Sequence, residues 1–168
     1  MIPIFPGIVK CFFLDASAMV KLFVDENEPG FEQIRDYFNS LNAAFFTTNF
    51  CYFETLSTLK RKWQRSEITQ SEYLRHCRLL FAYKEERKIK IKEYPLKDLH
   101  DFRKLECMTE THGIDISDAL QLLSIKETIL SKKFVVEESE TTLITADDGL
   151  AKAAENEGIK HIQLRNSL

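Results

Sequence analysis

The sequence predicts an α/β domain, with a central parallel sheet flanked by helices on both faces. Three observations lead there. Short apolar runs recur at Lys10–Leu14, Ala44–Thr47 and Leu143–Thr145, separated by longer stretches with helical spacing. Strands divided by helices need crossover connections, which pair the strands in parallel and pack helices on the sheet. Turn and cap signals (Pro29-Gly30, Thr69-Gln70-Ser71-Glu72, Gly113, Gly158) punctuate the pattern between the runs.

The elements follow in order. Lys10 to Leu14 reads as a buried strand, and a helix begins near Ser17 and breaks around Pro29-Gly30. A second helix runs from Phe31 to about Leu41, and Ala44-Phe45-Phe46-Thr47 forms the next strand. The longest helical stretch covers about Asn49 to Arg65, where Phe50, Phe53, Leu56 and Leu59 lie near helical spacing. Thr69 to Glu72 is a capping box opening a helix through about Glu85. Ile89 to Lys92 alternates as a strand, and Leu96 to Thr111 is helical with Gly113 as its stop. Ser117 caps a helix from Asp118 to about Leu130. Leu143 to Thr145 is a strand, Gly149 to Glu157 a helix, and His161 to Leu164 a last short strand. Within Lys132 to Thr141, Phe134-Val135-Val136 reads either as an edge strand or as surface loop.

At 168 residues the chain supports one core of ordinary size, so a single domain over residues 1–168 is expected. A net charge of -3 gives no global attraction to nucleic acid or anionic membrane. Local charge differs: Lys60, Arg61, Lys62 and Arg65 cluster around Trp63, a pattern able to track a phosphate backbone, or simply to form a solvated helical face. The four cysteines show no CxxC spacing and the histidines no zinc-ligand spacing, as in a reduced intracellular protein. The apolar lead Met1 to Gly7 lacks a basic n-region and carries two prolines. No run approaches the roughly 20 apolar residues that cross a bilayer. A cytoplasmic location without membrane contact is expected.

Four acids stand out against this background. Asp15 ends the first apolar run, Asp147 follows the Leu143 to Ala146 run, Asp118 opens Ala119 to Leu123, and Glu54 is the single charge between Thr47 and Leu59. A carboxylate isolated among apolar groups costs roughly several kcal/mol unless it is paired, protonated or cation-bound. Asp is also a favoured N-cap, an ordinary account of Asp15, Asp118 and Asp147 taken singly. Glu54, inside a helix, escapes that account. In a parallel sheet ligands bind beyond the carboxyl ends of the strands, where Asp15 and Asp147 are expected. Gathered together, four carboxylates offer hard oxygen ligands to Mg²⁺ or Mn²⁺. No G-x-S-x-G, Cys–His pairing, P-loop or G-x-G-x-x-G supports other chemistry.

Phe13-Leu14-Asp15-Ala16-Ser17-Ala18-Met19-Val20-Lys21, then Glu54, then Ile116-Ser117-Asp118-Ala119-Leu120-Gln121-Leu122, and finally Leu143-Ile144-Thr145-Ala146-Asp147-Asp148-Gly149-Leu150, resemble the PIN-domain ribonucleases in order. The closer likeness is to the VapC-like toxins of toxin–antitoxin pairs. The resemblance implies a PIN-like fold, Mg²⁺- or Mn²⁺-dependent hydrolysis of RNA, frequent homodimers and a possible cognate antitoxin. It assigns Asp15, Glu54, Asp118 and Asp147 as catalytic metal ligands, with Ser17 and Thr145 as supporting polar groups. Asp115 is a further supporting candidate, with a turn or cap role as its alternative. Lys60, Arg61, Lys62 and Arg65 are the candidates to bind RNA. The N-terminal lead and the Lys132 to Thr141 segment depart from a compact toxin.

Two other classes compete. A phosphatase with Asp15 as nucleophile fits the strand end, but such chemistry wants a second Asp where Ser17 stands. A non-catalytic PIN-like protein-binding module would treat the acids as structural.

Overall fold

The computed structural model describes residues 10–24, 29–40, 42–131 and 140–164. The chain runs β1 (Lys10–Leu14), α1 (Ala16–Val24), α2 (Phe31–Phe38), β2 (Ala43–Thr47), α3 (Asn49–Gln64) and α4 (Gln70–Glu85). It continues with β3 (Ile89–Ile91), α5 (Leu99–His112), α6 (Ile116–Ser131), β4 (Thr141–Thr145), α7 (Asp148–Asn156) and β5 (Lys160–Gln163). The N-terminal lead and the Phe134 to Val136 strand-or-loop segment fall outside the described residues.

All the strand pairings are parallel, in the order β3-β2-β1-β4-β5. Alternate residues of a strand point to opposite faces, and the two faces build separate cores. Phe12 and Leu14 join Phe45 and Ile144 against α1 to α4, whereas Cys11 and Phe13 join Phe46 and Leu143 against α5 to α7. Helices therefore cover both faces, as expected. The abundant Phe is used across the β1–β2 ladder, where Phe12 stacks on Phe45 and Phe13 on Phe46 in register. Directly opposed aromatic pairs of this kind help to fix a sheet's register.

Helix boundaries follow from their caps. Thr69 and Glu72 complete the reciprocal capping box at α4. Gly113 ends α5 in the left-handed region at φ 63, where a Cβ would be strained. Two expectations are corrected. The α5 helix starts at Leu99 rather than Leu96, because Asp98 accepts the Asp101 N–H at 3.0 Å and Pro95 precedes it. The α6 helix starts at Ile116, and its cap is Asp115 rather than Ser117: the Asp115 carboxylate accepts the Asp118 N–H at 3.0 Å.

The long α3 helix carries the third correction. Its buried stripe is Cys51, Tyr52, Thr55 and Leu59, while Phe50 and Phe53 are exposed. The bulkiest residues suggested one helical face; a smaller, mixed set is the one that is buried, where α3 packs against α1 and α4. All four cysteines are free thiols, with Cys11 and Cys51 buried as small apolar groups. No described helix is long and apolar enough to cross a membrane.

Candidate active site

The strand order reverses between β1 and β4: β2 and β3 lie to one side, β5 to the other. A crevice at the carboxyl ends of such neighbouring strands is the usual ligand site of a parallel sheet. Asp15 follows β1 directly and Asp147 follows β4 by two residues, so the topology brings both to this crevice.

Asp15 is the most tightly held of the acids, and it is only 5% exposed. One carboxylate oxygen accepts the Ala16 N–H at 2.6 Å and faces the Cys51 thiol at 3.9 Å. The other accepts the Ser17 hydroxyl at 2.6 Å, the Thr145 hydroxyl at 3.0 Å and, at 3.3 Å, the Ser17 N–H. Both hydroxyls are in turn acceptors: Ala146 N–H donates to Ser17 at 2.8 Å and Asp147 N–H donates to Thr145 at 2.9 Å. Each is thereby oriented as a donor toward Asp15. Burial pushes the Asp15 carboxyl above its ordinary range, while the bonds from Ser17, Thr145 and the Ala16 N–H pull it back.

Asp147 is the N-cap of α7, its Oδ1 accepting the Leu150 N–H at 2.8 Å. Asp147 itself is exposed. Its helix begins Asp148-Gly149, and a Cβ at Gly149 would come within 3.1 Å of Asp147 Oδ1. The glycine gives this carboxylate room.

Glu54 lies one turn into α3 and, contrary to its apolar sequence neighbourhood, it is exposed. The reason is the rotation of α3, which turns Phe50 and Phe53 outward with it. Partial desolvation nonetheless raises its carboxyl, with the charges of Asp15 and Asp115 adding and Arg61 opposing. Asp118, half-buried on the first turn of α6, is pushed up to about 7. Burial is the main cause, followed by the negative charges of Asp115, Asp15, Asp147 and Glu54. Asp115 goes the other way. Burial would raise it, but the Asp118 N–H together with the Ser117 hydroxyl and N–H holds it below the usual range. The four acids singled out in the sequence, with Asp115, thus share one electrostatic neighbourhood drawn from β1, α3, α6 and the β4–α7 turn.

Glu54 is the wall between two cavities. One, of about 380 Å³, is lined by Ser17, Lys21, Glu54, Thr58, Lys62 and Asp147. The other, of about 650 Å³, is lined by Phe50, Phe53, Glu54, Ser57, Arg61 and Asp115 among others. The basic candidates divide around α3. Arg61 and Lys62 each face one of these cavities, seven and eight residues beyond Glu54 and so near its side of the helix. Lys60 instead covers the Trp63 ring at 3.9 Å, and Arg65 is exposed at the helix end. Lys62 also pairs with Glu67 at 3.2 Å.

Lys21 joins the first cavity and was not singled out in the sequence. It is the one charged residue of α1 and is buried, with its ammonium donating to the Pro29 carbonyl at 2.7 Å. The signal was present. The argument applied to an isolated carboxylate in an apolar run applies equally to an isolated amine.

The donor chemistry fits a hard divalent cation. The converging groups are carboxylates and hydroxyls, and a positive ion relieves the mutual repulsion expressed at Asp118. Among the described residues, however, no three His, Cys, Asp or Glu side chains stand together as a closed ligand set. The acids surround a shared region without forming a cage.

In a parallel α/β domain the carboxyl edge at the sheet reversal is the expected ligand site, and here that edge carries acids. A PIN-domain family model matches residues 12–156, and the chain belongs to that family. PIN domains are generally nucleases that act on nucleic acid with divalent metal ions. No curated protein matches the chain.

Proposed function

We propose that the protein is a metal-dependent endoribonuclease that hydrolyses RNA phosphodiester bonds, and that it acts as the toxin of a VapBC-type pair. The observation that carries the nuclease reading is the placement of Asp15 and Asp147 at the carboxyl ends of the neighbouring strands β1 and β4, joined through Thr145, with Glu54 and Asp118 in the same electrostatic neighbourhood. Negative charges that share a partly buried neighbourhood raise one another's pKa, and a cation there would favour their ionised forms.

Asp15, Glu54, Asp118 and Asp147 would hold one or two Mg²⁺ or Mn²⁺ ions. Such ions polarise the phosphodiester and lower the pKa of a bound water. The chain's own groups supply the rest. Ser17 and Thr145 hold Asp15 in one orientation through their hydroxyls. The Leu150 N–H fixes Asp147, and Asp115 orients the start of α6 that carries Asp118. Arg61 and Lys62 offer positive charge to phosphates on either side of Glu54. One domain over residues 1–168, acting as a homodimer in the cytoplasm, completes this reading.

The phosphatase reading loses ground on one observation. That chemistry wants a second carboxylate two residues after the nucleophile, and the residue there is Ser17, whose hydroxyl donates to Asp15 at 2.6 Å.

The test is cleavage of a panel of RNAs with Mg²⁺ or Mn²⁺, with chelator, and with Asp15→Asn or Asp118→Asn. Cleavage that needs the metal and both acids is expected; undiminished cleavage in chelator, or by either variant, overturns the mechanism. Growth arrest on expression, relieved by the product of a small adjacent gene, is the expected outcome for a toxin.

A further inference from the structure

Two exposed phenylalanines stand beside the acidic crevice with nothing in the proposed chemistry to explain them. Phe50 is 51% and Phe53 61% exposed, on the same α3 helix that carries Glu54. They line the cavity of about 650 Å³ that Glu54 shares with the crevice, together with Ser57 and Arg61. Phe50, Glu54, Ser57 and Arg61 recur at spacings of four, three and four, which places them along one side of the helix. Phe53 is further fixed by an edge contact with Tyr52, their centroids 5.8 Å apart.

We infer that this cavity is a subsite for an unpaired nucleotide, its base stacked on Phe50 and Phe53 and its phosphate directed to Arg61. The inference rests on the nuclease reading and names the groups that would seat the nucleotide beside the crevice. An exposed aromatic ring is a sequence-tolerant platform, since every base presents a π-face. The cavity volume falls within the range that holds a small ligand of nucleotide size. The cavity lining combines the Arg61 cation with the two aromatic rings, which suit the phosphate and the base of a nucleotide. Continuity through Glu54 ties the groove to the crevice rather than to a separate surface. A base-paired strand does not fit this arrangement, because its bases are already stacked and their faces covered.

The experiment uses the full chain and a labelled single-stranded oligoribonucleotide carrying 2-aminopurine at successive positions, with Ca²⁺ in place of Mg²⁺. Wild-type protein is expected to quench the 2-aminopurine at one or two adjacent positions. Phe50→Ala and Phe53→Ala are each expected to raise Kd roughly tenfold and to relieve the quenching. Phe50→Trp should retain binding, and the matched duplex should bind no better to wild type than to the variants. Because both rings are exposed, thermal denaturation of the variants should match wild type and show that the fold is kept.

An unchanged Kd in the double Phe50→Ala, Phe53→Ala variant overturns the subsite. If wild type still cleaves RNA in that case, the nuclease reading stands alone. Quenching at defined positions without any cleavage in Mg²⁺ or Mn²⁺ keeps the subsite and removes the nuclease reading. Failure of the wild type to bind the oligonucleotide removes the subsite. A shift from dimer to monomer in sedimentation, with Kd unchanged, assigns these rings to a subunit contact and also overturns the proposal.

Discussion

The Thr145 hydroxyl donates to the Asp15 carboxylate at 3.0 Å, although 130 residues separate the two in the chain. Parallel pairing of β1 with β4 makes the contact possible. The Asp15 N–H donates to the Ile144 carbonyl at 3.1 Å, which sets the two strand ends level. Thr145 does two jobs with one oxygen, since it also accepts the Asp147 N–H at 2.9 Å. It therefore couples the acid after β1 to the acid after β4.

Thr145→Val should separate these roles from mere shape, because valine is close to threonine in size. The substitution takes one donor from a buried carboxylate and the acceptor from the Asp147 N–H. Hydrogen bonds to charged groups contribute roughly 1.5–3 kcal/mol each. For a chain of this size one such bond corresponds to a loss of roughly 3–12 °C in Tm. Cleavage and Mn²⁺ affinity should fall together. A variant with unchanged Tm and unchanged affinity would show that Asp15 does not depend on this bond.

Gly149→Ala reaches the other acid. The new Cβ would lie 3.1 Å from Asp147 Oδ1, so the carboxylate must give way by a few tenths of an ångström. Alanine is the better helix former, but the displaced Oδ1 is also the cap that accepts the Leu150 N–H, so the two effects offset and Tm should change little. Positional errors in a reacting constellation are costly, and cleavage should drop several-fold. Calorimetry with Mn²⁺ alongside thermal denaturation checks it. Loss of stability in parallel with loss of activity would point to a damaged helix start instead.

How far the sequence reveals this arrangement depends on the kind of signal. Asp15, Asp147 and the sheet were legible because period, strand ends and cap residues are all local features. The cap of α6 was not fully legible: Ser117 and Asp115 are both cap-type residues two positions apart, and the bond to the Asp118 N–H selects Asp115. The rotation of α3 was not legible. Phe50 and Phe53 match helical spacing as well as Cys51, Tyr52, Thr55 and Leu59 do, and only tertiary packing chooses between the two stripes. Glu54 stands out as a charge in apolar company, yet it shares the exposed side of the helix with Phe50 and Phe53. The division of Lys60, Arg61 and Lys62 around the helix likewise follows from packing, through the ring of Trp63.

That division gives a paired prediction. Lys60 is committed to the Trp63 ring, so Lys60→Ala should cost stability by about 0.5–1 kcal/mol and leave RNA affinity nearly unchanged. Arg61 faces the cavity beside Glu54, so Arg61→Ala should weaken RNA binding and lower the slope of log Kd against log salt by about one unit or less. Binding titrations at several salt concentrations separate them. Equal effects from the two substitutions would return the basic cluster to an undifferentiated solvated face.

Asp118 makes the protein's response to pH and metal a single linked experiment. Its carboxyl is raised from 3.8 to about 7, first by burial and then by Asp115, Asp15, Asp147 and Glu54. A folded-state value above the unfolded one means that folding favours the protonated form. The stability tied to this group is therefore intact below about pH 4 and drains away as pH rises to about 7. Asp15 and Glu54 shift in the same direction and add to the trend. A divalent cation binds the ionised form, so it competes with the proton and stabilises the fold by mass action. In chelator, the Asp118 contribution should make the protein melt lower at pH 8 than at pH 5.5. Saturating Mg²⁺ or Mn²⁺ should raise Tm at pH 8 and do little at pH 5.5. Asp118→Asn should reduce both the pH trend and the metal response, since the amide neither ionises nor matches a carboxylate as a ligand. Differential scanning calorimetry across this range reads all three effects. A metal-induced rise of equal size at both pH values, or one retained in full by Asp118→Asn, would place the cation elsewhere.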